Sequence, residues 1–592
     1  MNTRTALPFN LVGMTEDEFF EEVESSYIEC TSIPSDINSD NDSDAEEEID
    51  EVIADNNEYV LSATDDEDDN WDEEDLIPLS RFANSTNLTY ISWGKNLTNI
   101  QPPPPFTEPC GLPQFILDVT EPTPFDFFNL LVTNDILGHL VFQTNLYAEQ
   151  EFQSTGKTCK KTDINEMKTF LGINLLMGIK KYSIYRDHWS TLPDLHDPYI
   201  SKLMPLHRFG WILSHLHLND NSVMPRRDTD NFDKLYKVRP FLESLKINFK
   251  KCLHLHQNVA VDEGMIKFKG RSSIKQYMPK NPVKRGYKVW MLADQTGYCW
   301  NFEIYTGKSG NDVEKNLGAR VIKSLCSEIT NKNHNLYFDN YFSSVPLMQD
   351  LRNLHIYACA TVNSTRKYLP TFKCDKELRR GDHQWFTSNT NLAAVKWRDK
   401  RSVHLLSNYH NPEVSTEVKR KEKDGRFVQV PCPVMLTDYN KNMNFVDKFD
   451  QMRTCYGINR KSHKWWHRIF FFFIDAAVVN AFILFKLRGI DTKMTMKNFR
   501  RKIIEGLVAY TLVKKVSLPV ELSIPIKKQK PLVSENIRLT ESTHQPTRTT
   551  RRRCAFCSTK VKDTRTNWKC SVCNVPLCLG KSKHCFQSYH RK

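Results

Sequence analysis

NVAVDEGMIKFKG, at residues 258–270, marks the point where the pattern of the chain changes and its fold is decided. Upstream, residues 124–150 and 164–182 place apolar side chains at intervals of three and four, which predicts amphipathic helices. From residue 258 onward, short β-branched and aromatic runs alternate with glycine and polar turns, as in YKVWMLADQTGYCWNFEIYTG (287–307) and NLYFDNYFSS (335–344). Residues 366–435 are basic and strand-like, and helical periodicity returns over 436–515. The pattern predicts an α+β chain of several domains.

Acidic residues occur at the ends of two of these predicted strands. Asp262 lies in NVAVDEG and Asp339 in NLYFDNYF, while Asp447 and Asp450 lie three residues apart in NFVDKFDQM. On a helix, positions i and i+3 share a face, so the last two carboxylates can reach one site. Such a set could hold two Mg²⁺ ions for phosphoryl transfer. Among 71 acidic residues, however, ordinary solvated acids at strand ends fit the spacing equally well.

The charge is distributed very unevenly along the chain. Residues 1–80 contain 27 acidic side chains and one basic side chain, Arg4, although the whole chain has a net charge of +10. Residues 1–105 are poor in apolar side chains and end in QPPPPF, which predicts a disordered acidic region. The rest is strongly basic and predicts a nucleic-acid partner. Basic residues are concentrated near the predicted strands, at Lys267, Lys269, Arg271, Lys275, Lys280, Lys284, Arg285 and Lys288.

The last 39 residues contain a cluster of cysteine and histidine. Two Cys-x2-Cys pairs are followed by further soft ligands, and two tetrahedral zinc ions need eight ligands in all. The eight candidates are Cys554, Cys557, Cys570, Cys573, Cys578, His584, Cys585 and His590. We predict a zinc domain over 554–592 with interleaved sites, whose folding depends on the metal. Residues 520–553, rich in proline, lysine and arginine, are predicted to be a basic linker.

One apolar stretch, IFFFFIDAAVVNAFILF at 469–485, could be taken for a membrane span. It is shorter than the roughly 20 residues that a bilayer requires, and it contains Asp475 and Asn480. A buried core helix is the better interpretation. We therefore expect no membrane partner. The start of the chain turns acidic where a secretory signal would be apolar, so we expect no such signal there.

The sequence around the acidic residues resembles that of the piggyBac transposase family. The resemblance rests on AVDEGMIKFKGRSSIKQYMPKNPVKRGYKVWMLAD, LYFDNYFSSVPLMQDL, LTDYNKNMNFVDKFDQM and GINRKSHKWWHRIFFFFIDAAVVNAFILF, followed by the Cys/His cluster. It extends over roughly residues 110–592.

The resemblance implies an RNase H-like catalytic core formed by 256–365 and 436–456, interrupted by a β-rich insertion at 366–435. The helical segments 106–255 and 457–519 would form one dimerisation and DNA-binding domain. Asp262, Asp339 and Asp447 match the catalytic triad, which binds two Mg²⁺ ions (Mn²⁺ is an alternative), and Asp450 matches a further acidic position. The implied activity is cut-and-paste transposition of double-stranded DNA by a homodimer, with hairpin ends, TTAA targets and seamless excision.

Candidate DNA contacts come partly from this resemblance and partly from charge. Trp465 matches a tryptophan associated with target DNA, although helix packing explains it equally well. The cations that we expect to contact phosphates are Lys284, Arg285, Arg460, Lys461, Lys464, Arg551, Arg552 and Arg553. KKQK (527–530) and TRTTRRR (547–553) predict nuclear localisation, or a basic linker that touches DNA.

Three functions are compatible with the sequence. The first is an active transposase. The second is a host-adopted, non-transposing DNA-binding or chromatin protein on the same scaffold. The third is an interaction protein that acts through its zinc domain and has an inert core. The four intact acidic residues favour the first.

Overall fold

The computed structural model describes residues 91–592 except 156–159, 228, 230, 280–281, 308–315, 423, 518–536, 538, 540–543, 560–561, 581–582 and 592. The chain divides into two compact units, Met1–Leu512 and Val513–Lys592. The predicted disordered region lies outside the described residues up to position 90. Its predicted end at 105 is too late, because β1 (Trp93–Gly94) pairs with a strand of the central sheet.

After β1 the first unit is helical as far as Cys252, as the periodicity predicts. The helices are α1 (Gln114–Leu117), α2 (Pro124–Leu131), α3 (Asn134–Thr155), α4 (Ile164–Ile179), α5 (Pro198–Leu203), α6 (Leu206–His215) and α7 (Arg239–Cys252). Local sequence explains where α2 starts: Thr123 and Asp126 form a reciprocal capping box, and Pro124 occupies the first helical position. Asp163 caps α4 by accepting from the backbone N–H of Glu166.

A ten-stranded mixed sheet lies at the centre of the first unit. After β1, its strands are β2 (Asn258–Lys267), β3 (Gln276–Tyr277), β4 (Arg285–Asp294), β5 (Cys299–Ile304), β6 (Asn335–Phe338), β7 (Tyr357–Thr361), β8 (His383–Ser388), β9 (Ala393–Arg398) and β10 (Ser402–Ser407). Helices α8 (Leu317–Leu325) and α9 (Val345–Asn353) precede β6 and β7 respectively.

The strand order places the chemistry-bearing segments side by side. The middle of the sheet runs β5-β4-β2-β6-β7, with β4 antiparallel to β2 and β5, and β2, β6 and β7 mutually parallel. The sheet then continues through β10, β9, β8 and β1, all antiparallel. The predicted insertion at 366–435 is therefore not a separate body, because three of its strands extend the central sheet. The backbones of β2 and β4 approach so closely that a Cβ on Gly286 would overlap the Ile266 carbonyl oxygen.

The remaining part of the insertion is a two-stranded ribbon, β11 (Ser415–Lys421) paired with β12 (Phe427–Pro433). Four helices follow it: α10 (Val434–Asn442), α11 (Phe445–Cys455), α12 (Trp465–Leu487) and α13 (Met496–Ser517). By length and composition α12 could cross a membrane, but its apolar window is completely buried in the unit, as we expected of a core helix. Its Asp475 pairs with Arg500 of α13 at 2.8 Å and accepts from the Ile458 N–H at 2.7 Å. These two partners satisfy the acid that sequence alone leaves unexplained.

The second unit is small and has a separate apolar cluster built mainly from cysteines. It contains a ribbon of β13 (Pro546–Arg553) and β14 (Arg565–Cys570), followed by α14 (Cys585–His590). Because β13 lies within the predicted linker at 520–553, this unit begins before the predicted boundary at 554.

Candidate active site and metal centres

Asp262 and Asp339 are brought together by the register of two parallel strands. Val261 of β2 pairs with Phe338 of β6, and each aspartate is the next residue along its strand direction. The Glu263 N–H donates to Asp262 Oδ1 at 2.7 Å, and the Tyr341 N–H donates to Asp339 Oδ1 at 3.0 Å. The two carboxylates are thus fixed side by side at the end of β6. Asp262 is not at a strand end as the sequence predicted, because β2 continues to Lys267 through its pairing with β4.

Asp447 reaches the same site from α11, which packs on β2 and β4. Burial raises the pKa of Asp262 to about 7, and the charges of Asp339 and Asp447 add to this effect. Burial likewise raises the pKa of Asp339 to about 6, although the N–H of Tyr341 opposes it. The pKa of Asp447 is raised by burial and by Asp450. Because the charges of Asp339 and Asp447 both act on Asp262, we call these three residues the acidic cluster.

The acidic cluster is open rather than collapsed. Within the described part of the chain, its carboxylates do not form a set whose oxygen atoms all lie within 4.8 Å of one another. Asp450 instead accepts two hydrogen bonds from Arg453, at 2.9 and 2.7 Å. The structure therefore places Asp450 one helical turn from Asp447, where it is hydrogen-bonded to Arg453 of the same helix.

Helix α10 contributes a residue that sequence reasoning missed. Tyr439 is buried, and its hydroxyl lies close enough to Asp262 and Asp339 that their charges help to raise its pKa, after burial. The neighbouring Asp438 anchors the helix by accepting from Tyr337 of β6 at 2.8 Å. It accepts as well from Tyr409 at 3.1 Å and bonds His410 at 3.0 Å.

The hydrogen bonds to Asp438 affect its pKa more strongly than its burial does. Burial opposes ionisation of the carboxyl, but hydrogen bonds from His410 and the two tyrosines hold its pKa below the ordinary value. No sequence signal identifies this contact, because it joins β6, the end of β10 and α10, which are far apart along the chain.

In the metal-free chain we expect stability to fall as pH rises from the unfolded aspartate value of 3.8 to about 7. The folded chain keeps protons on Asp262 and Asp339 after the unfolded chain has released them, so rising pH favours unfolding across this window. The check is the thermal unfolding midpoint against pH in magnesium-free buffer. Asp262→Asn should flatten the profile, and a variant as pH-dependent as the native chain would contradict the assignment.

The predicted DNA-contacting side chains are in two different situations. Lys284, Arg285, Lys461, Arg551, Arg552 and Arg553 are exposed. Arg460 instead lies over the rings of Tyr185 and Phe209, at 5.1 and 5.0 Å, and burial lowers its pKa to about 10. Lys464 donates to the Ser214 carbonyl, and burial lowers its pKa to about 8. Both residues are half-buried, so their charged groups are already engaged within the protein.

The two tryptophans that begin α12 differ in burial. Trp466 is 3% exposed and belongs to the core. Trp465 is half-buried, with its ring 6.4 Å from that of Tyr287. Its predicted contact with DNA remains a prediction. Lys280, one of the basic residues near the predicted strands, lies outside the described residues.

The second unit contains two sets of four ligands that could each hold a metal ion. One is Cys554, Cys557, Cys578 and Cys585, and the other is His544, Cys570, Cys573 and His590. In each set the ligand atoms all lie within 4.8 Å of one another, and the two sets alternate along the chain. The interleaving agrees with prediction, but the ligand list needs one correction. His584 is exposed and belongs to neither set, and His544, in the predicted linker, takes its place.

The distances within the two sets agree with tetrahedral coordination. Cys557 Sγ and Cys578 Sγ are 3.8 Å apart, the separation expected when two thiolates bind one ion at about 2.3 Å. His544 Nδ1 lies 3.2 Å from Cys570 Sγ and 3.5 Å from Cys573 Sγ, and His590 Nε2 lies 3.5 Å from Cys573 Sγ. His590 Nδ1 bonds the Phe586 carbonyl at 2.7 Å, which orients its ring.

Comparison with known proteins places the chain in a class. A family model described as Transposase IS4 matches residues 123–482, so the chain belongs to this transposase family. Within it, the chain is similar to human PiggyBac transposable element-derived protein 2, with 29% identity over 65% of each chain. It is also similar to human PiggyBac transposable element-derived protein 3, with 28% identity over 64% of each chain. The chain thus spans slightly less than two thirds of these relatives.

A solved structure supports the fold assignment. The cryo-EM structure of a piggyBac transposase synaptic complex with hairpin DNA has a TM-score of 0.61 to this chain and 21% identity. It covers 80% of this chain and 98% of its own. The family model, the two human relatives and this structure together confirm the resemblance to the piggyBac type that the motifs suggested.

Proposed function

We propose that this chain is a cut-and-paste DNA transposase of the piggyBac type, with an RNase H-like catalytic core. The observation that carries the proposal is the acidic cluster. Asp262, Asp339 and Asp447 lie on a central strand, on its parallel neighbour and on a helix packed against them, within the order β5-β4-β2-β6-β7. Their mutual repulsion leaves an excess of negative charge that bound cations would balance.

The donor set suits Mg²⁺, or Mn²⁺ as an alternative. Carboxylate oxygens are the hard ligands that these ions prefer. Asp262, Asp339 and Asp447 would hold the ions, with Asp450 next to them. When bound, such a pair stabilises charge on the attacking and leaving oxygens of phosphoryl transfer. The N–H groups of Glu263 and Tyr341 fix the orientation of two of these carboxylates beforehand.

The proposed reaction begins with hydrolytic nicking at the element's end. The freed 3′-OH then attacks a phosphorus of the opposite strand, closes a hairpin and releases the 3′-OH of the flanking DNA. Water opens the hairpin and regenerates the 3′-OH, which attacks a phosphorus of a TTAA target and displaces a 3′-OH of the target strand. In every step an oxygen nucleophile, either water or a 3′-OH, displaces another oxygen from phosphorus. A single acidic cluster can therefore catalyse all the steps of the reaction. Excision restores TTAA without a footprint.

DNA is the proposed substrate and partner of the chain, which we propose acts as a nuclear homodimer. Exposed Lys284, Arg285 and Lys461 can contact phosphates from the first unit. In the second unit, Arg551, Arg552 and Arg553 lie exposed on β13, where they can bind the backbone of the element's end. Trp465 can stack on an unpaired base.

Zinc is the ion that we propose for both metal centres. One set of four cysteines and one set of two cysteines with two histidines, all closely spaced, are typical of structural zinc, and a unit this small has little other core. Recognition of the element's end would then depend on metal through folding rather than through catalysis.

The proposal is tested by an excision assay in cells. A donor plasmid carries the element's own flanking DNA, and the native chain is compared with Asp339→Asn. We expect seamless TTAA repair with the native chain and none with the variant, because the variant loses a metal-binding charge. Asp350→Asn is the matched control: Asp350 is a half-buried aspartate of the same unit, paired with Lys323 at 2.6 Å. Excision by Asp339→Asn at the native level would refute the proposal.

A non-transposing DNA-binding protein is the second candidate function. It is favoured by the similarity to human proteins whose names describe them as derived from transposable elements. In the same assay this function predicts no excision by either chain, with equal binding of the native chain and Asp339→Asn to the end DNA. An interaction protein acting through its zinc unit predicts neither excision nor binding to DNA.

A further inference from the structure

Beside the acidic cluster lies a buried lysine whose position the sequence did not reveal. Lys288 of β4 is only 7% exposed, although it belongs to the run of basic residues that the sequence shows near the predicted strands. Its Nζ lies 2.5 Å from Glu263 Oε2 on the neighbouring strand. The ring of Tyr341 covers the ammonium, with its centroid 4.2 Å away. Lys288 therefore has its charge directed into the protein rather than toward DNA.

The same side chains connect Lys288 to the catalytic acids. Glu263 follows Asp262 in the chain, and its charge acts on both Asp262 and Asp339. The backbone of Tyr341 donates to Asp339 while its ring lies over Lys288. The positive charge of Lys288 also favours ionisation of Asp339, against the larger effect of burial. Lys288 is thus a buried cation whose charge stabilises the ionised form of Asp339.

We propose that Lys288 is an internal counter-ion of the acidic cluster, which balances Glu263 and Asp339 while the site holds no divalent cation. The inference rests on the proposed function, because it assumes that Asp262, Asp339 and Asp447 bind Mg²⁺. Bound cations would take over most of the balancing, so the need for Lys288 should be greatest in the metal-free chain. The lysine would keep the carboxylates in place between reactions and would weaken metal binding by repulsion.

The proposal predicts that the stability lost on replacing Lys288 depends on Mg²⁺. A lysine that only packs against its neighbours would not show this dependence. Neutralising a buried partner leaves an uncompensated charge, and the resulting loss of stability depends on which other cations are close. For Lys288→Gln, the loss should be large without Mg²⁺ and small with saturating Mg²⁺. Removal of one repelling charge should also tighten Mg²⁺ binding by about tenfold.

The experiment measures thermal unfolding midpoints of the full chain in magnesium-free buffer and in saturating Mg²⁺, together with Mg²⁺ affinity by calorimetry. Lys288→Gln is compared with Lys288→Arg, which keeps the charge, and with Lys323→Gln, which removes an exposed lysine paired with Asp350. We expect Lys288→Gln alone to lose several degrees that Mg²⁺ restores, and to bind Mg²⁺ more tightly. Lys288→Arg and Lys323→Gln should respond to Mg²⁺ as the native chain does.

Two results would overturn the inference, and they differ in what else they affect. An equal loss for Lys288→Gln with and without Mg²⁺, at unchanged affinity, would mean that the lysine only packs, and the proposed function would stand. A native chain that Mg²⁺ neither binds nor stabilises would overturn both. If Lys288→Gln does not fold, Glu263→Gln tests the same pair from the other side. With one negative charge fewer, that variant should bind Mg²⁺ more weakly, and unchanged binding would count against the inference.

Discussion

Replacing His544 with alanine is expected to cost the second unit one of its two metal ions and its folded structure. The side chain shares a site with Cys570, Cys573 and His590, and three ligands hold a structural ion poorly. Zinc binding in small domains is coupled to folding and contributes about 10 kcal/mol or more. Because Cys570 is the last residue of β14 and pairs with Pro546 of β13, loss of this site should release the ribbon that presents Arg551, Arg552 and Arg553.

The measurement is zinc content per chain, with limited proteolysis of residues 544–591 and binding to the element's end. His544→Ala should contain one zinc ion or none, become sensitive to protease and lose specific end binding. His584→Ala is the matched control, since it removes an exposed histidine of the same unit that belongs to neither set. Two zinc ions retained by His544→Ala, with loss in His584→Ala, would show that the ligand set predicted from the sequence was the right one.

The sequence predicted the acidic residues of the site because their signal is local. A carboxylate at the end of an apolar β-branched run is visible in NVAVDEG and NLYFDNYF, and Asp447 and Asp450 share a helical face in NFVDKFDQM. The resemblance to the piggyBac family distinguishes these residues from the other acids of the chain. The structure adds the strand register, which sets Asp262 beside Asp339. The order of helices and strands follows from periodicity for the same reason, since each period is read within one segment.

What the sequence could not predict depends on contacts between distant segments. Lys288 looks like another surface cation within a basic run, and only the pairing of β2 with β4 shows that it faces Glu263. Tyr439 approaches the acids because Asp438 ties α10 to β6. His544 stands ten residues before the first cysteine of its unit, with no Cys-x2-Cys spacing to mark it. Likewise, no pattern within 366–435 shows that β8, β9 and β10 continue the central sheet.

Asp262→Asn is expected to abolish catalysis and at the same time to stabilise the metal-free chain. The carboxylate is partly buried, and its pKa of about 7 reflects burial first and then the charges of Asp339, Asp447 and Glu263. An amide of nearly the same shape carries none of this charge, so the repulsion is relieved. The same loss removes a metal-binding oxygen anion, and removing one element of charge stabilisation typically slows a reaction by about 10³-fold.

The two effects are measured on one preparation, as the rate of nicking of end DNA in Mg²⁺ and as the unfolding midpoint in magnesium-free buffer near neutral pH. Nicking should fall by about 10³-fold or more while the midpoint rises. Asp350→Asn should change neither, because Asp350 pairs with Lys323 outside the acidic cluster. A midpoint that falls with the rate would mean that the carboxylate is needed for folding, whereas a rise in stability with full activity would show that Asp262 binds no catalytic ion. A carboxylate that binds a metal ion should give these opposite changes. Without the ion, its repulsion with the neighbouring carboxylates destabilises the fold, and the strain persists because the site requires this charge for catalysis.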